Sequence, residues 1–286
     1  MITQFGKRFL TNFVAGNVSF SKKDMAIGIS NQTEYALENT NSRLGFEFYR
    51  LPVQFGAIEI DTTVTPNTYT AVYSASLPAD LAGKINEIGI YPGTRSSSNN
   101  FDSKFITDFE LPFDWTPTPS IDQTNYRVGN SSLTFSSDGI LPQEYKSVIE
   151  LIDISGYSSF DTISFSFKAN NSYLSNIKLR LYSSPSDYLE MIFDEYSQGY
   201  NIKNKLFSDF VSVGSPDKSN ITSFGIVVTP TDSSTSIVAD GLRINDEDTF
   251  DPLYGLVSRK VLDSELEKIA GKELIIEYKL DLSFGA

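Results

Sequence analysis

Two short apolar–polar alternations bring four chemically useful side chains into one neighbourhood. Ile177, Leu179 and Leu181 alternate with Lys178, Arg180 and Tyr182, and Leu189, Met191 and Phe193 alternate with Tyr188, Glu190 and Ile192. Ser183-Ser-Pro-Ser-Asp187 separates them, so the segment reads as a hairpin. If the leucines, Met191 and Phe193 face a core, Arg180, Tyr182, Tyr188 and Glu190 share the opposite face. Aromatic rings can cover the apolar C–H side of a pyranose, and a fixed guanidinium and carboxylate can hydrogen-bond its hydroxyls. The same four residues also fit an ordinary outer sheet face of cross-strand tyrosines and ion pairs.

What is missing narrows the chemistry further. With no Cys there is no disulfide framework, thiolate nucleophile or Cys-ligated metal. Without His there is no Ser-His-Asp triad, HExxH zinc site or imidazole acid–base pair. A carboxylate pair could still cleave a glycoside, and 36 Asp and Glu residues supply candidates, but no spacing in the chain singles one out. A net charge of −13 disfavours nucleic acid and docking on an anionic bilayer. Lys203–Lys205 with Arg43 and Arg50 form no concentrated basic patch, and no Gly-rich phosphate loop is present. No run has the apolar length of a membrane span, so membrane insertion is not expected. Lys7 and Arg8 lie inside an apolar stripe rather than ahead of one, which argues against a signal peptide. The Asn-x-Ser/Thr triplets, beginning at Asn17, read as accidents of a chain rich in Asn and Ser.

The elements that must position these residues are mostly strands. Aromatic residues make up 13% of the chain, with 21 Phe and 15 Tyr, which suits half-buried pleated surfaces. Strands are expected at 25–30, around Leu44–Tyr49, over 56–64, over 69–77 and over 84–91, then at 163–169, 177–182, 188–193, 224–228 and 237–244. Ile2, Phe5, Phe9, Phe13 and Val14 follow helical spacing, with Thr3 as N-cap and Gly16 as stop. Phe5, Phe9 and Phe13 are candidates for an assembly interface, or for a helix that covers its own sandwich. The stretch 92–119, including Arg95–Asn100, reads as a loop and crossover, and Asp251-Pro252 as an exit. Gly255–Gly271 reads as a helical turn or two through Leu262, Leu266 and Ile269. Leu274, Ile276, Tyr278, Leu280, Leu282 and Phe284 then share one face of a closing strand that needs a partner laid down before Pro92. The expected fold is mainly β: two antiparallel β-sandwich domains, with residues 1–110 and 251–286 forming a base and 111–250 inserted as a jelly roll.

Two resemblances follow from these motifs. ITQFGKRFLTNFVAG…MAIGIS, YTAVYSASLPADLAGKINEIGIY and LVSRKVLDSELEKIAGKELIIEYKLDLSF together resemble structural proteins of tailed-bacteriophage virions. That likeness implies a homo-oligomer in a tail, baseplate, neck or fibre attachment, contacting other virion proteins and assembled in the host cytoplasm. Residues 126–244 are similar to carbohydrate-binding-module-like jelly rolls, through VGNSSLTFS, IDISGYSSFDTISFSFKANN, IKLRLYSSPSDYLEMIF and ADGLRI. This implies a non-enzymatic module that touches host surface polysaccharide, for which the hairpin face of Arg180, Tyr182, Tyr188 and Glu190 is the candidate. The Trp residues that commonly stack on sugar in such modules are absent, since the one Trp, Trp115, lies at the start of the inserted module. Asp240, with Asp246 and Asp248 downstream, could contribute to a structural calcium site of the kind such jelly rolls carry. Otherwise no cofactor is expected. The other reading is a bacterial surface or secreted protein that binds or acts on glycan.

Overall fold

The computed structural model of the 286-residue chain describes residues 1–16, 23–31, 43–63, 68–92, 104–245 and 255–283. It is mainly β, built from antiparallel sheets with one α-helix among the described residues. In chain order, α1 (Gln4–Val14) precedes β1 (Asp24–Ile29), β2 (Phe46–Pro52), β3 (Gln54–Asp61), β4 (Thr68–Leu77) and β5 (Gly83–Tyr91). Next come β6 (Lys104–Thr107), β7 (Trp115–Thr116), β8 (Ser120–Asp122), β9 (Ser132–Ser137), β10 (Gln143–Ile152) and β11 (Thr162–Ala169). They are followed by β12 (Leu174–Tyr182), β13 (Tyr188–Phe193), β14 (Gly199–Leu206), β15 (Val211–Val213), β16 (Ile221–Pro230) and β17 (Thr235–Asn245). The chain ends in β18 (Ser258–Lys268) and β19 (Leu274–Ser283). It divides into one unit of Met1–Ser98 with Asp248–Ala286 and a second of Asn99–Glu247.

The first unit holds a four-stranded sheet ordered β18-β5-β1-β2 and a three-stranded sheet ordered β19-β4-β3. The final strand pairs with β4 without a register break, from Leu274↔Leu77 to Ser283↔Thr68. Its alternation decides its faces: Ile276, Tyr278 and Leu280 are buried, whereas Ile275 is 68% exposed. Phe284, expected on the same face, lies outside the described residues, as do Val64, Arg95–Asn100 and Asp251-Pro252.

Helix α1 begins where Thr3 Oγ1 accepts a hydrogen bond from Gly6 N at 3.0 Å, satisfying one of the helix's orphan donors. It stops at Ala15, and Gly16 follows at φ +75°, a conformation that glycine adopts without strain. The helical turns expected within Gly255–Gly271 are not formed. That segment is β18, paired with β5 from Ser258↔Ile90 to Lys268↔Gly83. The edge of β5 offers a full ladder of backbone partners, which outweighs the weak 3.6-residue pattern of Leu262, Leu266 and Ile269. A register irregularity between Val261 and Leu266 absorbs the extra residues.

In the second unit, a sheet ordered β15-β13-β12-β16-β10-β7 and another ordered β14-β11-β17-β9-β8, with β6 also on β17, form a jelly-roll-like sandwich. Inward residues from both sheets make one core that includes Phe135, Phe165, Leu179, Met191, Phe224 and Ile226. Trp115 belongs to this core, 4.7 Å from the Phe135 ring and 4.8 Å from the Phe224 ring. Burying rings of this size contributes about 1.5–3 kcal/mol each, so Trp115 serves packing and is not an open stacking surface.

Candidate functional site

The β12–β13 hairpin fixes the register of the candidate residues. Ser183 N and Ser184 N donate to Asp187 O at 3.0 and 3.2 Å. The Asp187 carboxylate accepts from Ser184 Oγ at 2.6 Å and from Ser215 N at 2.8 Å, bonds that hold its carboxyl below the usual range. With the turn closed in this way, Arg180 pairs with Glu190 and Tyr182 with Tyr188. Leu179, Leu181, Leu189, Met191 and Phe193 all enter the core, so the four polar partners lie on the outer face.

That face extends across neighbouring strands. Gly225 on β16 pairs with Arg180 on one side and Lys146 of β10 on the other, giving a cross-strand row Lys146–Gly225–Arg180–Glu190. Arg180 Nε and Nη2 reach Glu190 Oε2 at 2.9 and 2.8 Å, and Nη1 reaches Glu144 Oε2 at 3.1 Å. Lys178 Nζ lies 3.0 Å from Glu190 Oε1. The Tyr182 hydroxyl donates to Glu144 Oε1. Its ring centroid is 4.9 Å from that of Tyr188, and Lys146 Nζ sits 3.7 Å from the Tyr182 centroid. Arg180 Cζ is 5.0 Å from the Tyr188 centroid.

The electrostatics follow from this crowding. Burial by itself would raise the Glu190 carboxyl, but hydrogen bonds from Lys178 and Arg180 outweigh it and hold the group below its ordinary value. Burial would lower Arg180; its contacts with Tyr182, Glu190 and Glu144 push it up instead, so it stays charged. Burial, then the bond to Glu144, raises the Tyr182 phenol, which therefore acts as a donor. Tyr182 is only 4% exposed, because Lys146, Glu144 and Tyr188 close around it, while Tyr188 is half-buried. The face can thus offer the Tyr188 ring beside a guanidinium and a carboxylate held in place by their own ion pairs.

Glu144 and Lys146 complete this arrangement but do not stand out in the sequence. β10 reads QEYKSVIELI, in which only Tyr145 of the first five residues is a large apolar group. Its neighbour β16 begins almost seventy residues after Ile152, so nothing local reveals the contact.

Asp240 lies apart from this face. It is fully buried, and its carboxylate accepts from Arg127 N at 2.9 Å and Val128 N at 3.3 Å, anchoring the loop before β9. Among the described residues no group of three or more acidic side chains could hold a metal ion; Asp246 and Asp248 are outside them. Of the three helix phenylalanines, Phe9 is 2% exposed, and Phe5 packs against Gly255, where a Cβ would fall 2.4 Å from its ring. Phe13, at 47% exposure, is the one open to solvent.

No family model matches the chain, and no curated protein matches its sequence. Among solved structures it is similar to a family 11 carbohydrate-binding module from Clostridium thermocellum in complex with a β-1,3-1,4-mixed-linked tetrasaccharide. The identity is 15%, with 50% of this chain and 95% of that chain covered, at a TM-score of 0.39. A carbohydrate-binding module specific for non-crystalline cellulose is 13% identical, with 44% and 80% covered and a TM-score of 0.29. An exo-β-agarase is 13% identical, with 49% and 25% covered and a TM-score of 0.38. At such values neither ligand nor activity transfers to this chain.

Proposed function

We propose that this chain is a non-enzymatic structural component of a tailed-phage virion, assembled in the host cytoplasm, whose second unit recognises host surface polysaccharide. The observation that carries the glycan part is the outer face of β12 and β13. There the Tyr182 and Tyr188 rings lie 4.9 Å apart and Arg180 is clamped between Glu190 and Glu144. A sugar's C–H face would stack on Tyr188, and its polar groups would meet side chains that need no further ordering. The virion part is supported by the motif layout of the first unit and by its composition from both ends of the chain. In a homo-oligomer, weak single sites would act together through effective concentration.

The test has two arms. A glycan array probed with the full chain and with Tyr188→Ala should show binding by the first that the second loses; no binding by either rejects the glycan reading. Antibody labelling and mass spectrometry of purified particles should place the chain in the virion tail region. Finding it instead on a bacterial surface or in culture medium without particles would favour a bacterial glycan-binding protein.

A further inference from the structure

We infer that the saccharide taken by this face is anionic, bearing carboxylate or sulfate groups, rather than neutral. This rests on the glycan reading above and sharpens it. The two rows Lys146–Gly225–Arg180–Glu190 and Glu144–Val227–Lys178–Ile192 carry five charged side chains, Glu144, Lys146, Lys178, Arg180 and Glu190, with Glu150 exposed further along β10 beyond Val148. Within these two rows, three cations against two carboxylates leave one positive charge in excess, on a chain whose net charge is −13.

The placement of the hydrogen bonds matters more than the count. Each carboxylate oxygen of these two rows already receives a donor: Glu190 Oε1 from Lys178, Glu190 Oε2 and Glu144 Oε2 from Arg180, and Glu144 Oε1 from the Tyr182 hydroxyl. Lys146 has no carboxylate partner among the described residues; its ammonium lies over the Tyr182 ring. Around Arg180 the carboxylate acceptors are therefore occupied and a three-donor cation is to spare. A sugar hydroxyl is best met by an acceptor and a donor together, whereas an ionised carboxylate or sulfate needs donors only. The cation–π contact holds the ammonium in place without using its N–H groups on an anion. Gly225, between Lys146 and Arg180 in the row, places no side chain in the way. Repulsion from the acidic remainder of the chain is screened beyond about 8–10 Å at ordinary ionic strength, so the local charge decides contact.

The test is titration of the full chain with matched polymers: polygalacturonate against its methyl ester, and sulfated carrageenan against its desulfated form, with neutral glucan oligomers alongside. The expected result is binding at least about tenfold tighter for an anionic member than for its neutral counterpart, lost in Lys146→Gln and retained in Lys146→Arg. An unchanged circular dichroism spectrum would show that Lys146→Gln still folds, and an unchanged preference in that folded variant overturns the inference. Equal or tighter binding of neutral partners also overturns it while leaving the glycan reading in place. If none of these polymers binds, the inference falls; a wider array without any hit removes the glycan reading as well.

Discussion

Gly225 and Tyr182 sit so close that a Cβ on Gly225 would fall 3.2 Å from Tyr182 Cε2, and 2.8 Å from Glu144 Oε1. The missing side chain on β16 is what allows the tyrosine of β12 and the glutamate of β10 to meet above the strand between them. Gly225→Ala should therefore cost about 1–2 kcal/mol through overpacking. It should also weaken any ligand that binds the Lys146–Arg180 row. Urea denaturation alongside binding titration checks both; an unaffected variant would show that the contact above β16 is loose.

Arg180 joins Glu190 to Glu144, so its removal should reach further than one ion pair. Arg180→Ala leaves Glu190 with Lys178 alone and should destabilise the second unit by about 1 kcal/mol, a modest figure because the pair is partly solvated. The Glu190 carboxyl should titrate higher in the variant than in the parent, which side-chain NMR can follow. Arg180→Lys should not restore both contacts, because a lysine cannot fork between two carboxylates.

The first unit also holds a buried charge. Glu87 is fully buried, ion-paired with Arg259 and accepting from Gly45 N at 2.7 Å. Burial is the largest influence and pushes its carboxyl up to about 7, against the pull of Arg259. The folded state then holds a proton that the unfolded chain has released. Stability from this group is complete below the ordinary glutamate range and is lost as pH rises towards 7 and just above it. Unfolding free energy should fall by something of order 1–3 kcal/mol across that window. Glu87→Gln should flatten this part of the profile; chemical denaturation at several pH values would reveal an unchanged slope if the assignment is wrong.

At the start of the chain, Thr3 caps α1 while its hydroxyl donates to Leu256 O, and Gly6 lies against Val257 O, which a Cβ would approach to 2.2 Å. Thr3→Ala should cost about 1–2 kcal/mol. Gly6→Ala should cost more, since the obstacle is backbone and cannot rotate away. Thermal unfolding should rank Gly6→Ala below Thr3→Ala, and the reverse order would contradict this packing.

Asp240 offers a simple discrimination between anchor and metal ligand. As an anchor for Arg127 N and Val128 N, its replacement by Ala should cost about 1–3 kcal/mol by removing the acceptor of one buried and one part-buried donor. The melting temperature of the parent should be the same with calcium and with EDTA. A rise with calcium would point to ligands this arrangement does not contain.

Much of the fold was legible because strand alternation is local. The period of two in Ile177–Tyr182, Tyr188–Phe193 and Leu274–Leu280 depends only on which neighbours are apolar, and it set both the strands and their buried faces. It also places Arg180, Tyr182, Tyr188 and Glu190 on one side of a hairpin. The same logic misled at Gly255–Gly271, where a sparse apolar pattern suited a helix and an open sheet edge favoured a strand.

What the residues alone determined, then, was the mainly β character, a hairpin with Arg180 and Glu190 on one face, and an inventory without Cys or His that closes off most hydrolytic chemistry. Only the tertiary structure decided which distant strands flank that hairpin. Sheet order depends on pairings between segments far apart in the chain, and no local pattern encodes them. β16 and β10 therefore brought Gly225, Glu144 and Lys146 to the face, closed Tyr182 off and left Tyr188 as its more accessible ring.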